Sequence, residues 1–185
     1  MNDTDEKLYS RYLEDGDEDA LRLLLMRYRE PLTLFVNEYV HNVDDAEELM
    51  LDAFAVVAAK TSRFGGKSSF KTWLYAIARN LAADRLRKNR FKTEELTEVE
   101  ADVRSAAPDY EILQKERNRQ IYEALENIPK DYRQVLFLIY FEQLTEEETA
   151  KVMKKSKKQI YHLVSRGREA LRKELERRGI ENAKC

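Results

Sequence analysis

A chain of 185 residues with 43% hydrophobic and 37% charged side chains can bury a core, either as one domain or as two small ones. Its single cysteine, Cys185, excludes an internal disulfide and a thiolate metal cluster. Its acidic start lacks the pattern of a signal peptide. The longest apolar run, residues 135–141, falls far short of the ~20 residues a membrane helix needs, so the expectation is a cytoplasmic protein with no direct membrane insertion.

The net charge of −2 conceals a strong pattern. Residues 1–60 hold 6 basic and 15 acidic side chains, and residues 61–92 hold 9 and 1. Residues 93–150 return to 6 and 15, and residues 151–185 hold 12 and 4. Clustered Lys and Arg displace counterions from phosphate, which drives nucleic-acid affinity. Charge alone leaves two readings open: a pair of solvated helix faces, or a pair of nucleic-acid surfaces. The acidic blocks would repel DNA, so a functional role for them points to a basic protein partner.

With five glycines and three prolines, the composition favours helices. Residues 17–40 carry apolar side chains at helical spacing, from Ala20, Leu24 and Tyr28 to Leu32, Phe35 and Tyr39, and Pro31 should kink this segment or start a new helix. Asp44 with Glu47 three residues on has the form of a capping box, opening a helix to about Lys60. Its apolar side is Leu49, Phe54, Val57 and Ala58, which leaves Asp45, Glu48 and Asp52 on another face.

Residues 64–68 form a loop. A helix follows over 69–88, with Phe70, Trp73, Leu74, Ile77 and Leu81 on one stripe. The opposite stripe is Thr72, Ala76, Arg79, Ala83 and Arg87, flanked by Asn80: small and basic side chains that let a polyanion approach closely. Residues 91–108 are acidic and aperiodic and are expected to be a linker. Asp109 caps a helix to about 126, and Asp131 begins another that carries Val135, Leu136, Leu138, Ile139 and Tyr140.

Thr145 with Glu148, and Ser156 with Gln159, make two capping boxes eleven residues apart, with a short helix between them and a longer one after. That is a helix-turn-helix pattern, with Lys154-Lys155 where a turn glycine is usual. In the second helix Ile160, Leu163, Val164, Gly167 and Leu171 point inward. Lys158, His162, Ser165, Arg166 and Glu169 point outward, with Lys157 and Tyr161 at the edge. A recognition helix meets base edges with its N-terminal residues, and His, Ser and Arg can each hydrogen-bond there.

These residues together resemble the extracytoplasmic-function sigma factors of the sigma-70 family. Asp45-Ala46-Glu47-Glu48-Leu49, then Asp52-Ala53-Phe54, is similar to the family's core-binding helix. Phe64-Gly65-Gly66, the run from Phe70 to Asn80, and Asp84-Arg85-Leu86-Arg87 resemble its promoter-melting segment. Ile128-Pro129, Tyr132-Arg133, Val135-Leu136, Glu148-Thr149-Ala150 and the run from Arg166 to Leu171 resemble its C-terminal DNA-reading domain. The resemblance spans about residues 17–90 and 110–175.

It implies an all-α chain of two small helical domains joined by an acidic linker, the C-terminal one a helix-turn-helix. Region 2 would occupy 1–92, the linker 93–109 and region 4 110–185. It implies docking on core RNA polymerase through Asp45, Glu48, Leu51 and Asp52, although the family usually has glutamine where Leu51 stands. It implies capture of the −10 element by Lys60, Arg63, Phe64, Lys67, Thr72, Ala76, Arg79, Asn80, Ala83 and Arg87, with a base leaving the stack for a pocket formed by residues 60–64 and Asn80. The −35 element would be read by Lys157, Lys158, Gln159, Tyr161, His162, Ser165 and Arg166. Where relatives commonly show Val-Lys-Ser-Arg, this chain has Ile160-Tyr161-His162-Leu163, so the bases read there are its own. The linker would thread near the polymerase active centre, and an anti-sigma factor is implied as a further partner. Trp73 is read as core rather than as a stacking platform.

Two other classes compete. A regulator that binds an operator without polymerase would use the same C-terminal helices but leaves the acidic helix and residues 64–87 without a task. An enzyme would need a reactive constellation, and the chain shows none: Asp44, Asp45, Glu47, Glu48 and Asp52 have only His41 near them, and Gly65-Gly66 lacks the phosphate-loop signature. The expectation is therefore no enzyme, no metal and no cofactor.

Overall fold

The computed structural model describes residues 3–59, 64–94 and 116–180, and among these every regular element is helical. The chain divides into two units, residues 1–107 and 108–185. The fourth helix runs on to Glu94, into the start of the expected acidic linker; the rest of that linker, from residue 95, lies outside the described residues, as do Asp109 and Cys185.

The first unit opens with a helix not foreseen from the sequence, α1 (Asp5–Asp15), capped by the Thr4 hydroxyl and closed by Gly16 in the left-handed region at φ 69°. Its Leu8 and Tyr9 are buried. Helix α2 (Glu18–Val40) is capped by the Asp17 carboxylate, which accepts the Ala20 amide at 3.0 Å. It runs through Pro31 as one helix, so no new helix starts there. An interior proline costs ~3 kcal/mol. The five residues after it, Leu32 to Val36, are all buried, and burying one large apolar side chain returns ~1.5–3 kcal/mol, so packing overrides the local preference.

Helix α3 (Val43–Ala58) starts two residues earlier than expected. Asn42, not Asp44, is its cap, accepting the Asp45 amide at 3.0 Å. Helix α4 (Phe70–Glu94) starts after Ser69, whose hydroxyl accepts the Thr72 amide at 3.2 Å. Leu24, Phe35, Val36, Met50, Val57, Leu74 and Tyr75 form the core where α2, α3 and α4 meet.

In the second unit α5 (Glu116–Glu126) leads through Ile128-Pro129 to α6 (Lys130–Leu136). The spiral then widens into a π turn over Phe137–Phe141, with the Glu142 amide bonding the Phe137 carbonyl at 3.1 Å. Helices α7 (Glu146–Met153) and α8 (Lys157–Arg177) complete the unit. Gly167 lets α8 lie close on α6: an added Cβ would stand 3.3 Å from both Leu136 Cγ and Tyr132 Cβ. The end of α8 is clamped by Arg178, which bridges Glu174 at 2.8 Å and Glu123 of α5 at 3.1 Å.

Candidate nucleic-acid interfaces

Both capping boxes of the helix-turn-helix are formed. Thr145 Oγ1 accepts the Glu148 amide at 3.2 Å while Glu148 accepts the Thr145 amide at 3.0 Å. Ser156 and Gln159 do the same at 3.2 and 2.8 Å. Between them Lys154 stands in the left-handed region at φ 53°, ψ 43°, the conformation a turn glycine would take, and the Lys155 amide bonds back to Ala150 at 3.1 Å.

This turn sets which side of α8 faces out. Ile160, Gly167 and Leu171 are buried, Leu163 and Val164 half-buried, and Glu174 and Leu175 extend the inner face. Lys157, Lys158, Tyr161, His162, Ser165 and Arg166 are all exposed. Gln159 is exposed too, but its side-chain oxygen is committed to the cap. Lys157 reaches Glu147 at 2.7 Å, a contact that raises the ammonium pKa and lowers the carboxyl one, so a phosphate there would compete with an acid of α7. Tyr161 stands edge-on to His162, their ring centroids 5.8 Å apart. The result is a flat, polar, partly aromatic face suited to a groove.

The first basic block is built differently from its expected form. The buried side of α4 is Phe70, Leu74, Tyr75, Ala78 and Ala82, rotated by roughly 80° from the anticipated stripe at 100° per residue. The cause is Tyr75, whose ring is taken between Phe35 at 5.1 Å and Tyr28 at 6.4 Å on α2. Trp73, Ile77 and Leu81, expected in the core, are only half-buried. Thr72, expected outward, is 2% exposed and its hydroxyl lies 2.8 Å from that of Ser69, so it serves the helix start and is removed from the contact set.

Ala76, Arg79, Asn80 and Ala83 are half-buried, and Arg87 is exposed and paired with Asp84 at 3.1 Å. Asn80 Oδ1 and Arg79 Nε are buried with no hydrogen-bond partner among the described residues. Phe64 is half-buried beside Trp73 at 5.5 Å, and Lys67 is exposed. Lys60 and Arg63 lie outside the described residues.

Tyr9, Tyr12 and Glu6 of α1, outside the expected helices, also border this region. Leu8 and Tyr9, with Tyr12 four and three positions on, were the available signal of a buried helical face.

On α3 the outward face is Asp44, Glu48, Leu51, Asp52 and Ala55, all exposed and at helical spacing. Leu51, an apolar side chain 55% exposed, sits among the acids. Asp45 is half-buried, and Arg85 of α4 bridges it and Glu48.

Comparison with known proteins bears on both units. The profile described as "Sigma-70 region 2" matches residues 24–92, and "Sigma-70, region 4" matches residues 118–171. The chain is 32% identical over 165 residues to the ECF RNA polymerase sigma factor SigX of Bacillus subtilis, covering 86% of this chain and 85% of that protein. It is 29% identical over 182 residues to the RNA polymerase sigma-H factor of Pseudomonas aeruginosa, covering 93% and 94%. Its fold matches that of the sigma factor RpoE solved in complex with the anti-sigma factor NepR from Bartonella quintana (TM-score 0.64, 23% identity, 84% of this chain and 96% of that one). It also matches CnrH solved in complex with the cytosolic domain of CnrY (TM-score 0.63, 19% identity, 94% and 98%).

Proposed function

This chain belongs to the extracytoplasmic-function RNA polymerase sigma factor family, and on that premise we propose how its surfaces divide the work. It binds core RNA polymerase and directs promoter recognition and transcription initiation. The observation that carries this is the presence of both sigma-70 regions in one chain, in order, each on its own helical unit.

We assign region 2 to residues 1–92, a linker to 93–109 and region 4 to 110–185. In region 2 the α3 face of Asp45, Glu48, Leu51 and Asp52 docks on the polymerase. An acidic rim around one apolar side chain suits a basic protein surface and gives the contact a desolvated centre. The −10 element is taken by Phe64, Lys67, Ala76, Arg79, Asn80, Ala83 and Arg87, together with Lys60 and Arg63. Opening the duplex costs a few kcal/mol per unstacked base, offset by binding the extruded base. The orphaned Oδ1 of Asn80 supports its part in that pocket, because a buried acceptor without a partner is stabilised by a ligand donor.

In region 4 α8 enters the major groove at the −35 element, where Tyr161, His162, Ser165 and Arg166 reach base edges and Lys157 and Lys158 meet phosphate. Gln159 fixes the start of that helix. The chain acts in the cytoplasm as a recognition subunit and supplies no chemistry of its own. The two structures of like fold solved with anti-sigma factors support such a regulator for this chain as well.

Run-off transcription with purified core polymerase and a pool of promoter fragments tests the reading. The chain is expected to confer discrete start sites that vanish when the upstream element is scrambled. Core polymerase that starts identically with and without the chain would overturn it.

A further inference from the structure

Helix α1 lies outside the stretch matched as region 2, which begins at residue 24. Its polar side chains nevertheless reach the backbone at both ends of the connection between α3 and α4. The Tyr12 hydroxyl donates to the Ala58 carbonyl at 2.8 Å and the Tyr9 hydroxyl to the Val57 carbonyl at 3.4 Å. These carbonyls belong to the last turn of α3, where a helix leaves its acceptors without internal partners. At the other end Glu6 Oε1 accepts the amide of Phe70 at 2.9 Å, the first amide of α4 and an orphan for the same reason.

The ring of Tyr9 fills the space between the two ends, with centroids 6.1 Å from Phe64, 5.2 Å from Phe70 and 5.5 Å from Trp73. Asp5 anchors the helix in turn, bonding to Arg27 and to the Tyr28 hydroxyl of α2. A helix that served only to cover the core would need its apolar side alone, Leu8 and the Tyr9 ring. Three directed polar contacts to chain ends do something further: they fix the separation and angle of the end of α3 and the start of α4, the segments that flank Phe64.

We propose that α1 is a positioning element for the −10 site, with Glu6 and Tyr12 as positioning residues that hold Phe64 and the start of α4, the helix that carries Ala76, Arg79 and Asn80, in the geometry that receives the opened strand. The inference rests on the assignment of that site above. Holding the site beforehand matters because ordering a loop at the moment of binding consumes affinity.

The test uses holoenzyme assembled from core polymerase and the full chain. The probe is a fluorescein-labelled single-stranded DNA selected by the wild-type holoenzyme from a randomised pool. Glu6→Ala and Tyr12→Phe are expected to weaken binding of this strand about fivefold, near 1 kcal/mol for one lost hydrogen bond, while affinity for core polymerase stays unchanged. Glu6→Gln, whose amide oxygen still accepts from Phe70, is expected to restore it. In the free full-length chain, emission from Trp73, its single tryptophan, should shift in Glu6→Ala and return in Glu6→Gln.

Strand binding kept in full by Glu6→Ala and Tyr12→Phe would overturn the inference alone. So would loss of core affinity by the same factor, or a Glu6→Gln variant as impaired as Glu6→Ala. A wild-type holoenzyme that selects no strand would instead overturn the −10 assignment, and the inference with it.

Discussion

Arg85 of α4 and Glu48 of α3 meet at 2.9 Å, and the same guanidinium bonds Asp45 at 3.0 Å, so the helix with the basic surface also orients the acids of its neighbour. The hydrogen bond that Arg85 donates to Glu48 is the chief cause of its raised pKa. Glu48 remains 60% exposed, and exposed ion pairs contribute under ~1 kcal/mol, so the contact serves orientation more than stability. Glu48→Lys should reverse the local charge, set two cations face to face and lower affinity for core polymerase at least about tenfold. A competition assay against a second sigma factor measures this, and unchanged affinity would move the docking surface elsewhere.

Asn80→Ala removes the orphaned acceptor without touching the core of α4. Strand opening should slow about tenfold, the scale of one desolvated hydrogen bond, with duplex binding altered less than about twofold. A fluorescent base analogue in the −10 element follows the opening step. Opening at the normal rate would take Asn80 out of the pocket.

Glu174 is held by Arg177 at 2.7 Å and Arg178 at 2.8 Å, hydrogen bonds that bring its pKa from 4.5 down to about 2. A carboxyl whose pKa is depressed on folding stabilises the fold fully above its unfolded pKa and loses that contribution as pH falls toward the folded one. The loss belongs between about pH 4.5 and pH 2. Glu174→Gln should therefore melt earlier than wild type at pH 6 and show a flatter decline below pH 4.5, as thermal denaturation followed by circular dichroism would record. Parallel curves for the two proteins would contradict the assignment.

Lys154 occupies a left-handed conformation that costs a side-chain-bearing residue ~1–2 kcal/mol. Lys154→Gly should relieve this and, after the added freedom of glycine in the unfolded chain, stabilise the second unit by about 0.5–1 kcal/mol. Urea denaturation gives the sign directly. Loss of stability would mean that the lysine side chain makes a compensating contact.

The helices whose existence was legible from sequence were those with strong periodicity or a complete cap. The two capping boxes of the helix-turn-helix formed as read, because each is a local contact across three residues. The phase of α4 was not legible: Phe70 and Trp73 suggest one stripe, but the rings of Phe35 and Tyr28, far away in sequence, draw Tyr75 inward and turn the helix. Helix α1 was missed because its fixing contacts, Tyr12 to Ala58 and Glu6 to Phe70, span 46 and 64 residues. The outward face of α8 was readable because its inner side, Ile160, Gly167 and Leu171, is buried at plain helical spacing.

The π turn after α6 carries one residue more than an α-helical turn would hold, and the surplus sets the phase of everything beyond it. Phe137 and Phe141 stack at 5.7 Å within it, and the chain leaves with the Leu144 amide bonded back to Leu138 at 2.9 Å and the Leu144 side chain buried. Deleting a single residue there would let the coil close at its ordinary pitch and swing Leu144 by about 100°, off its seat. The phase at which the chain enters α7 and α8 is thus set by one extra peptide unit lodged upstream of both helices.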